Sequence, residues 1–392
     1  MENISLKKKV LCVALTLALS LFTVIAVFTA CGEKDPEDVP VVSTDVSSDG
    51  SVEVTEPETE PETEPETEPE TEDPALRNPL TGLKWDTPEL YGKRPAAIML
   101  NNLREAAPQD GISNADILYE CLAEGGITRF LMVVSDYAKL GVTGSIRSSR
   151  PYYIDFAQNH DALYFHAGGS EDAYSQMYTR KIDHFDGVRT NVPYDTFYRD
   201  QWRLKNIVGI EHSMVTDGER MVKAIEANGS RTDLREDYKN PMNFVEGDEF
   251  VALENGEDAK CVYLPYSYYQ MPYLKYDEAS NTYKRWQFGA THIDRITGTQ
   301  LEFTNVLVVF AAETGPVDAK GHIVVTTTGE GEGYYLTGGK MINFKWTKAT
   351  QDSQIEFTLE DGSPLLLNRG KTFVSIFDSN KKSEVQLNYN LG

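Results

Sequence analysis

Apolar residues fall into three regimes along this chain. Residues 10–28 form an uncharged apolar run behind Lys7, Lys8 and Lys9, and residues 32–74 are almost devoid of large apolar side chains. From Pro95 onward, short apolar runs alternate with turn residues. Residues 95–100, 117–122, 129–134 and 162–166 read as strands, being brief, apolar and bounded by polar or glycine positions. Helical stretches alternate with them. One runs from Pro151, well placed as a first helical residue, towards Gln158. A second follows Ser170, an N-cap, with Glu171 and Asp172 suiting the positive helix end. A third spans Asp217 to Asn228 and stops at Gly229. Beyond residue 245 helical periodicity fades. Strands are expected at 261–264, 301–310, 322–327, 333–336, 342–346, 355–358 and 372–377, with Gly338-Gly339 and Asp361-Gly362 as hairpin connectors. Residues 329–333, alternating Gly and Glu, lie between strands with no helix after them and read as a flexible hairpin rather than a phosphate loop. The expected class is α+β: an N-terminal α/β layered domain over 76–240, then a mostly antiparallel β domain or small barrel over 245–392.

The basic start, the apolar run and small Thr29-Ala30 before Cys31 have the layout of an export signal. A cysteine directly after the cleavage pattern reads as a lipoprotein processing site. It makes residues 1–30 a discarded signal and Cys31 the acylated, palmitate-bearing end on the extracytoplasmic face of the membrane. An uncut membrane span and a plain secretory signal are the alternatives; the run is about long enough to cross a bilayer. From Thr55 to Glu70 the unit Thr-Glu-Pro-Glu repeats four times. Proline removes backbone donors and like charges repel, so residues 31–75 are expected to be a disordered, extended spacer.

Charge sharpens that picture. Of the formal net charge of −24, most sits in residues 32–74, which carry 17 acids against one lysine. The rest is mildly acidic, which argues against nucleic acid as a partner. Of four cysteines, only Cys121 and Cys261 fall in the folded part, without metal-ligand spacing. They read as buried thiols, and no metal or cofactor is expected.

Chemistry concentrates around Ser145-Ile146-Arg147-Ser148-Ser149-Arg150-Pro151. Arg147 and Arg150 beside a helix start need a negative partner, because the free amides there are already partly positive. Glu120 or Glu124 can answer them within the protein, and a bound anion is the alternative. Thr128-Arg129 adds another arginine. The run His166-Ala167-Gly168-Gly169-Ser170 joins a strand end to a helix start, where α/β folds often place ligands. The candidate ligand-binding set is therefore Glu120, Glu124, Thr128, Arg129, Arg147, Ser148, Ser149, Arg150, His166 and Ser170. A purely structural arginine–carboxylate network is the competing reading. Tyr266, Tyr268, Tyr269, Tyr273, Tyr276, Tyr283 and Trp286 crowd one stretch and suit a core better than a sugar-stacking surface. His292 and Asp294 share a strand face and read as a local hydrogen bond.

Several motifs carry a resemblance. Asn78-Pro79-Leu80-Thr81-Gly82, Pro108-Gln109-Asp110-Gly111-Ile112-Ser113-Asn114-Ala115-Asp116, Glu124-Gly125-Gly126-Ile127-Thr128-Arg129-Phe130, the arginine–serine run and the His166 run together resemble the YerB-like lipoprotein family. The resemblance covers most of residues 78–380 and implies a two-part envelope lipoprotein of Gram-positive bacteria, with no assigned reaction. Only His212 matches the family's Pro-His-Asn run. The chain has no GxSxG turn, HExxH helix or Walker loop. The expected function is thus a membrane-anchored binding or interaction protein of the cell envelope, held to lipid through Cys31 and meeting a cell-wall polymer or envelope protein. A wall-processing enzyme and a solute receptor are the alternatives.

Overall fold

A computed structural model describes residues 73–189 and 192–389. Cys31, the apolar run and the acidic repeat lie outside the described residues. The N-terminal half supplies β1 (Ala96–Asn101), β2 (Ile117–Leu122), β3 (Thr128–Val134), α1 (Pro151–Gln158), β4 (Leu163–His166), α2 (Glu171–Thr179), β5 (His184–Asp186), α3 (Gln201–Asn206) and α4 (Gly218–Asn228). The C-terminal half supplies β6 (Glu257–Asp258), β7 (Asn305–Ala311), β8 (Gly329–Thr337), β9 (Lys340–Lys348), β10 (Glu356–Thr358) and β11 (Thr372–Asp378).

These eleven strands make one mixed sheet, ordered β6-β9-β8-β7-β11-β2-β3-β1-β4-β5, with β10 on β9. The halves meet inside it. Strand β11 runs parallel to both β2 and β7, in register from Ile117↔Thr372 to Cys121↔Ile376 on one side. The expected division at 240–245 therefore does not divide the sheet. The antiparallel character expected of the C-terminal half is found in a second, six-stranded sheet. It contains Cys261–Tyr263, Tyr273–Asp277, Thr282–Gln287, Ala290–Thr291, Glu302–Phe303 and Gln386–Leu387, all antiparallel.

Side-chain alternation sends the central strands into two cores. Ile98, Leu100, Phe130, Met132, Val306, Val308 and Phe373 go to one face, where they join Met221 and Ile225 of α4 and Val262, Leu274 and Tyr283 of the second sheet. Ala97, Met99, Leu131, Val133, Leu307, Val309 and Val374 go to the other, with Tyr153 and Phe156 of α1 and Met177 of α2. A sheet covered on both faces reads as continuous apolar runs, which is why β1, β3 and β7 show no polar alternation.

The helix punctuation works as the sequence implies. The Ser170 hydroxyl accepts from the Ala173 amide at 3.2 Å, and Gly229 closes α4 with φ +63°. Residues 329–333 depart from the expected flexible hairpin: they are the first half of β8, and the turn falls at Gly338-Gly339. The glycines serve packing there. A Cβ on Gly333 would stand 2.2 Å from the Phe344 ring, and one on Gly331 2.6 Å from the Trp346 indole. Two aromatic rings of β9 lie flat across the glycines of β8.

A buried polar cluster crosses between the sheets. Glu120 accepts 2.6 Å hydrogen bonds from both Arg285 and the Thr128 hydroxyl, and a 3.0 Å bond from Asn102. Arg285 also donates to His292 Nδ1 at 2.6 Å and Gln287 at 2.8 Å, and lies over Phe130 at 5.1 Å. His292 Nε2 meets Gln109 Oε1 at 2.8 Å. Asp294 accepts from Gly111 and Ser113 as well as from the nearby Ile296 amide, so His292 and Asp294 each bond across the halves and not to one another. Glu120 and Arg285 are both fully buried. Removing one partner leaves the other charge stranded, at about 3–5 kcal/mol. Arg285→Met should therefore destabilise both halves by that amount in a single urea transition; separate melting of the halves would contradict this account.

Candidate functional site

The pleat sorts the candidate residues. Glu120 is on the face of β2 that carries Leu118, and Thr128 is on the face of β3 that carries Phe130. Arg129, one residue on, points to the opposite face with Leu131. Glu120 and Thr128 thus belong to the buried cluster with Arg285, whereas Arg129 faces the arginine–serine segment.

That segment is fixed along its backbone. The Arg147 amide donates to the Met99 carbonyl at 3.0 Å, and the Arg147 carbonyl accepts from Ala167 at 3.0 Å. The Ser149 amide donates to Gly168 at 2.9 Å. Residues 147–149 therefore lie between the end of β1 and the turn after β4. Ser148 donates to the Ala167 carbonyl at 3.0 Å, and Ser149 accepts from the Tyr164 hydroxyl at 2.8 Å. Both hydroxyls are occupied by the fold.

Three guanidiniums converge here. Glu124, on the turn after β2, accepts from Arg129 and takes two bonds from Arg150, at 2.5 and 3.0 Å. Burial works to raise the Glu124 pKa, but Arg129 and Arg150 outweigh it and hold the carboxyl below its ordinary value. Arg129 also donates to the Ser148 carbonyl at 2.6 Å. Arg147 is different. Its side chain makes one long bond, 3.4 Å, to the Glu211 carbonyl, and it forms no ion pair among the described residues. Burial, then the neighbouring Arg129 charge, lowers its pKa to about 10, so it stays protonated at neutral pH. The buried Nε atoms of both Arg129 and Arg147 have no partner. One carboxylate is shared by two arginines, while the third, Arg147, feels the charges of Glu211 and Glu124 but is hydrogen-bonded to neither carboxylate. That arrangement is an excess of oriented donors aimed at negative charge.

His166 and Ser170 do not join this cluster. His166 is fully buried beneath it; Nδ1 stands 2.8 Å from the Gly168 carbonyl and so carries the proton, while Nε2 faces His184 at 3.0 Å. Burial pushes its pKa down to about 4, against the opposing pull of Asp186. Ser170 is occupied as the cap of α2. Neither Glu120 nor His166 has a surface from which to touch a substrate. The candidate set left out Glu211 and His212, whose charges act on or respond to Arg147, although His212 stood out as the match to the family's Pro-His-Asn run. His212 Nδ1 accepts from Asn101 at 2.9 Å, and burial and Arg147 both lower its pKa. The missed Arg285 had a legible signal: it holds the inward phase of Thr282–Gln287 between Tyr283 and Gln287. Cys121 and Cys261 are free buried thiols.

The fold and site define a two-part α+β protein with a cationic cluster of three arginines around one carboxylate. Residues 80–231 match the N-terminal domain, and residues 262–374 the C-terminal domain, of a protein family of unknown function, DUF3048. Over 301 residues the chain is 29% identical to "Putative lipoprotein YerB" of Bacillus subtilis (strain 168), spanning 77% of this chain and 86% of that protein. The crystal structure of YerB from Bacillus subtilis superposes with a TM-score of 0.68 and 26% identity, over 80% of this chain and all of that one. The chain belongs to the YerB-like family.

His166 offers a direct check on this electrostatic picture. A histidine whose folded pKa is depressed contributes its full stability above the unfolded value of 6.5 and loses it as pH falls. Between pH 6.5 and about 4 the loss should reach on the order of 3 kcal/mol. In His166→Gln, the slope of unfolding free energy against pH in that window should be shallower by about one proton. Parallel slopes for the two proteins would mean His166 is not buried neutral.

Proposed function

We propose that this protein is a lipid-anchored, extracytoplasmic binding protein of the cell envelope that takes an anionic group of a wall polymer at Arg147, with the buried Arg129 and Arg150 behind it adding positive charge. The observation that carries the reading is Arg147, a half-buried guanidinium with no carboxylate of its own beside two arginines that already share Glu124. A like-charge cluster of this kind is unfavourable until an anion enters, and a phosphate or carboxylate would meet several fixed donors at once. The mild acidity of the folded part favours a local site over general attraction to polyanions. The resemblance to a protein named as a lipoprotein supports attachment through Cys31. The acidic repeat would then hold the folded part away from anionic lipid and polymer by repulsion, leaving the arginine cluster as the point of engagement.

Calorimetry with poly(glycerol phosphate) and with poly(glutamate) tests the site and separates the two anion chemistries. Binding of one should weaken with added salt, and Arg147→Ala should lower affinity about tenfold, the worth of one charge-assisted bond. Retention of full affinity in Arg147→Ala would remove the proposal. Attachment is tested apart from binding. Growth with a labelled fatty acid should mark the wild-type chain, and Cys31→Ala should abolish the label and release the protein from the membrane fraction.

A further inference from the structure

A groove lined by the loops around residues 103–105, 125–127, 268–271 and 288–289 has a different chemistry. It is an open groove of ≈ 630 Å³ whose walls include Arg104, Glu105, Tyr268, Tyr269, Gln270 and Phe288. Tyr268 and Tyr269 are 85% and 66% exposed, unlike their neighbours Tyr266 and Gln270, at 3% and 1%. The tyrosine-rich stretch is therefore divided between core and surface within a few residues.

The two exposed rings sit on a turn pinned at both ends. Ser267 Oγ accepts from the amides of Tyr269 and Gln270 at 3.0 and 3.2 Å and donates to the Gly126 carbonyl. The Gln270 amide nitrogen donates to the Asn102 carbonyl at 2.6 Å. The rings themselves stand edge to face, centroids 5.6 Å apart. Large apolar rings held out into water on a rigid turn are preorganised contact area.

Two further features point to a ligand. Gln270 Oε1 is buried and has no hydrogen-bond partner. Its orientation is fixed, because only the amide nitrogen can donate to the Asn102 carbonyl. The groove wall thus contains an acceptor that wants a donor. Opposite, Phe288 and Gly289 form the two-residue turn between Thr282–Gln287 and Ala290–Thr291, with φ +53° and +77°. Such a turn favours Asn-Gly, and a bulky aromatic there is strained. The strained ring is the one that lines the groove, which is where backbone strain tends to be kept for function.

We propose that this groove binds a neutral pyranose chain. Sugar rings offer apolar faces to stack on Tyr268, Tyr269 and Phe288, and hydroxyls or amide N–H groups to donate to Gln270. Arg104 and Glu105 cancel in charge and leave no preference for an ionic ligand. A proline-rich peptide also stacks on tyrosines, but it presents carbonyl acceptors and few donors, the wrong complement for a free Oε1. This site shares no residue with the arginine cluster, so either can fail alone.

The test uses the full chain with N-acetylglucosamine tetramer, cellotetraose and a proline-rich decapeptide, read by calorimetry. At least one tetrasaccharide should bind, and Tyr268→Ala and Tyr269→Ala should each weaken it about fivefold, with unchanged Tm, since both rings are exposed. Phe288→Asn supplies the favoured Asn-Gly turn; it should raise Tm while weakening the same sugar. Arg147→Ala should leave sugar binding intact. No binding of either tetrasaccharide at about 10 mM, binding indifferent to the tyrosines, or preference for the peptide would each overturn the proposal.

Discussion

The fold depends on a charge pair placed where no water reaches it. Glu120 comes from the middle of the central sheet and Arg285 from the second sheet, 165 residues later. Each is fully buried, so each depends on the other and on the neutral groups around them for the hydrogen bonds that water would otherwise supply. Asn102 and Thr128 donate to the Glu120 carboxylate, and Gln287 and His292 accept from Arg285 Nη1, while the buried Arg285 Nε stays unpaired. Burial, reinforced by the Arg285 charge, pushes the His292 pKa far down, so its ring remains neutral and accepts from the guanidinium. Such a network fixes the register of one sheet on the other more sharply than apolar packing can, since a shift of one residue would strand several polar groups at once.

The second linkage between the halves repeats the logic with different residues. Asp110 is fully buried and meets Arg295 at 2.5 Å and Arg203 at 3.1 Å. Arg203, also fully buried, donates to the carbonyls of Pro108 and His212 at 2.8 and 2.6 Å. The chain around Pro108-Gln109-Asp110 is thus the hub to which the 285–297 hairpin, α3 and the His212 turn attach. These residues carry much of the family likeness, and in this structure their work is architectural.

Against those ion-paired clusters the Arg147 region stands out by its imbalance. Every arginine in the buried networks has a carboxylate or several carbonyls; Arg147 has a single distant carbonyl. The two cases differ in what burial demands. A fully enclosed guanidinium must be paired for the protein to fold, whereas a half-exposed one can wait for an outside partner with water in its place. The groove beside Tyr268 shows the same contrast in apolar form: Tyr266 and Tyr283 are filled by the core, and their near neighbours are held out of it.

Much of the local structure was legible in the chain. The boundaries of α1, the Ser170 cap, the Gly229 stop and the apolar runs of β1, β3, β7 and β11 follow from spacing and from the special backbone needs of Pro, Ser and Gly, all of which act over a few residues. The convergence of Arg129 and Arg150 on Glu124, with Arg147 beside them, was legible as a possibility, because helix starts and glycine turns bring nearby segments together. What the chain alone did not decide was which acid serves which arginine. Glu120 and Glu124 are four residues apart, yet the pleat and the turn send one to Arg285 and the other to Arg129 and Arg150. Nor did it reveal that β11 inserts beside β2, since pairing between segments some 250 residues apart is set by the whole packed sheet and leaves no short-range trace. Sequence determined the elements and their charges; tertiary structure decided the partners, because only there do burial and distance select among carboxylates that look alike in one dimension.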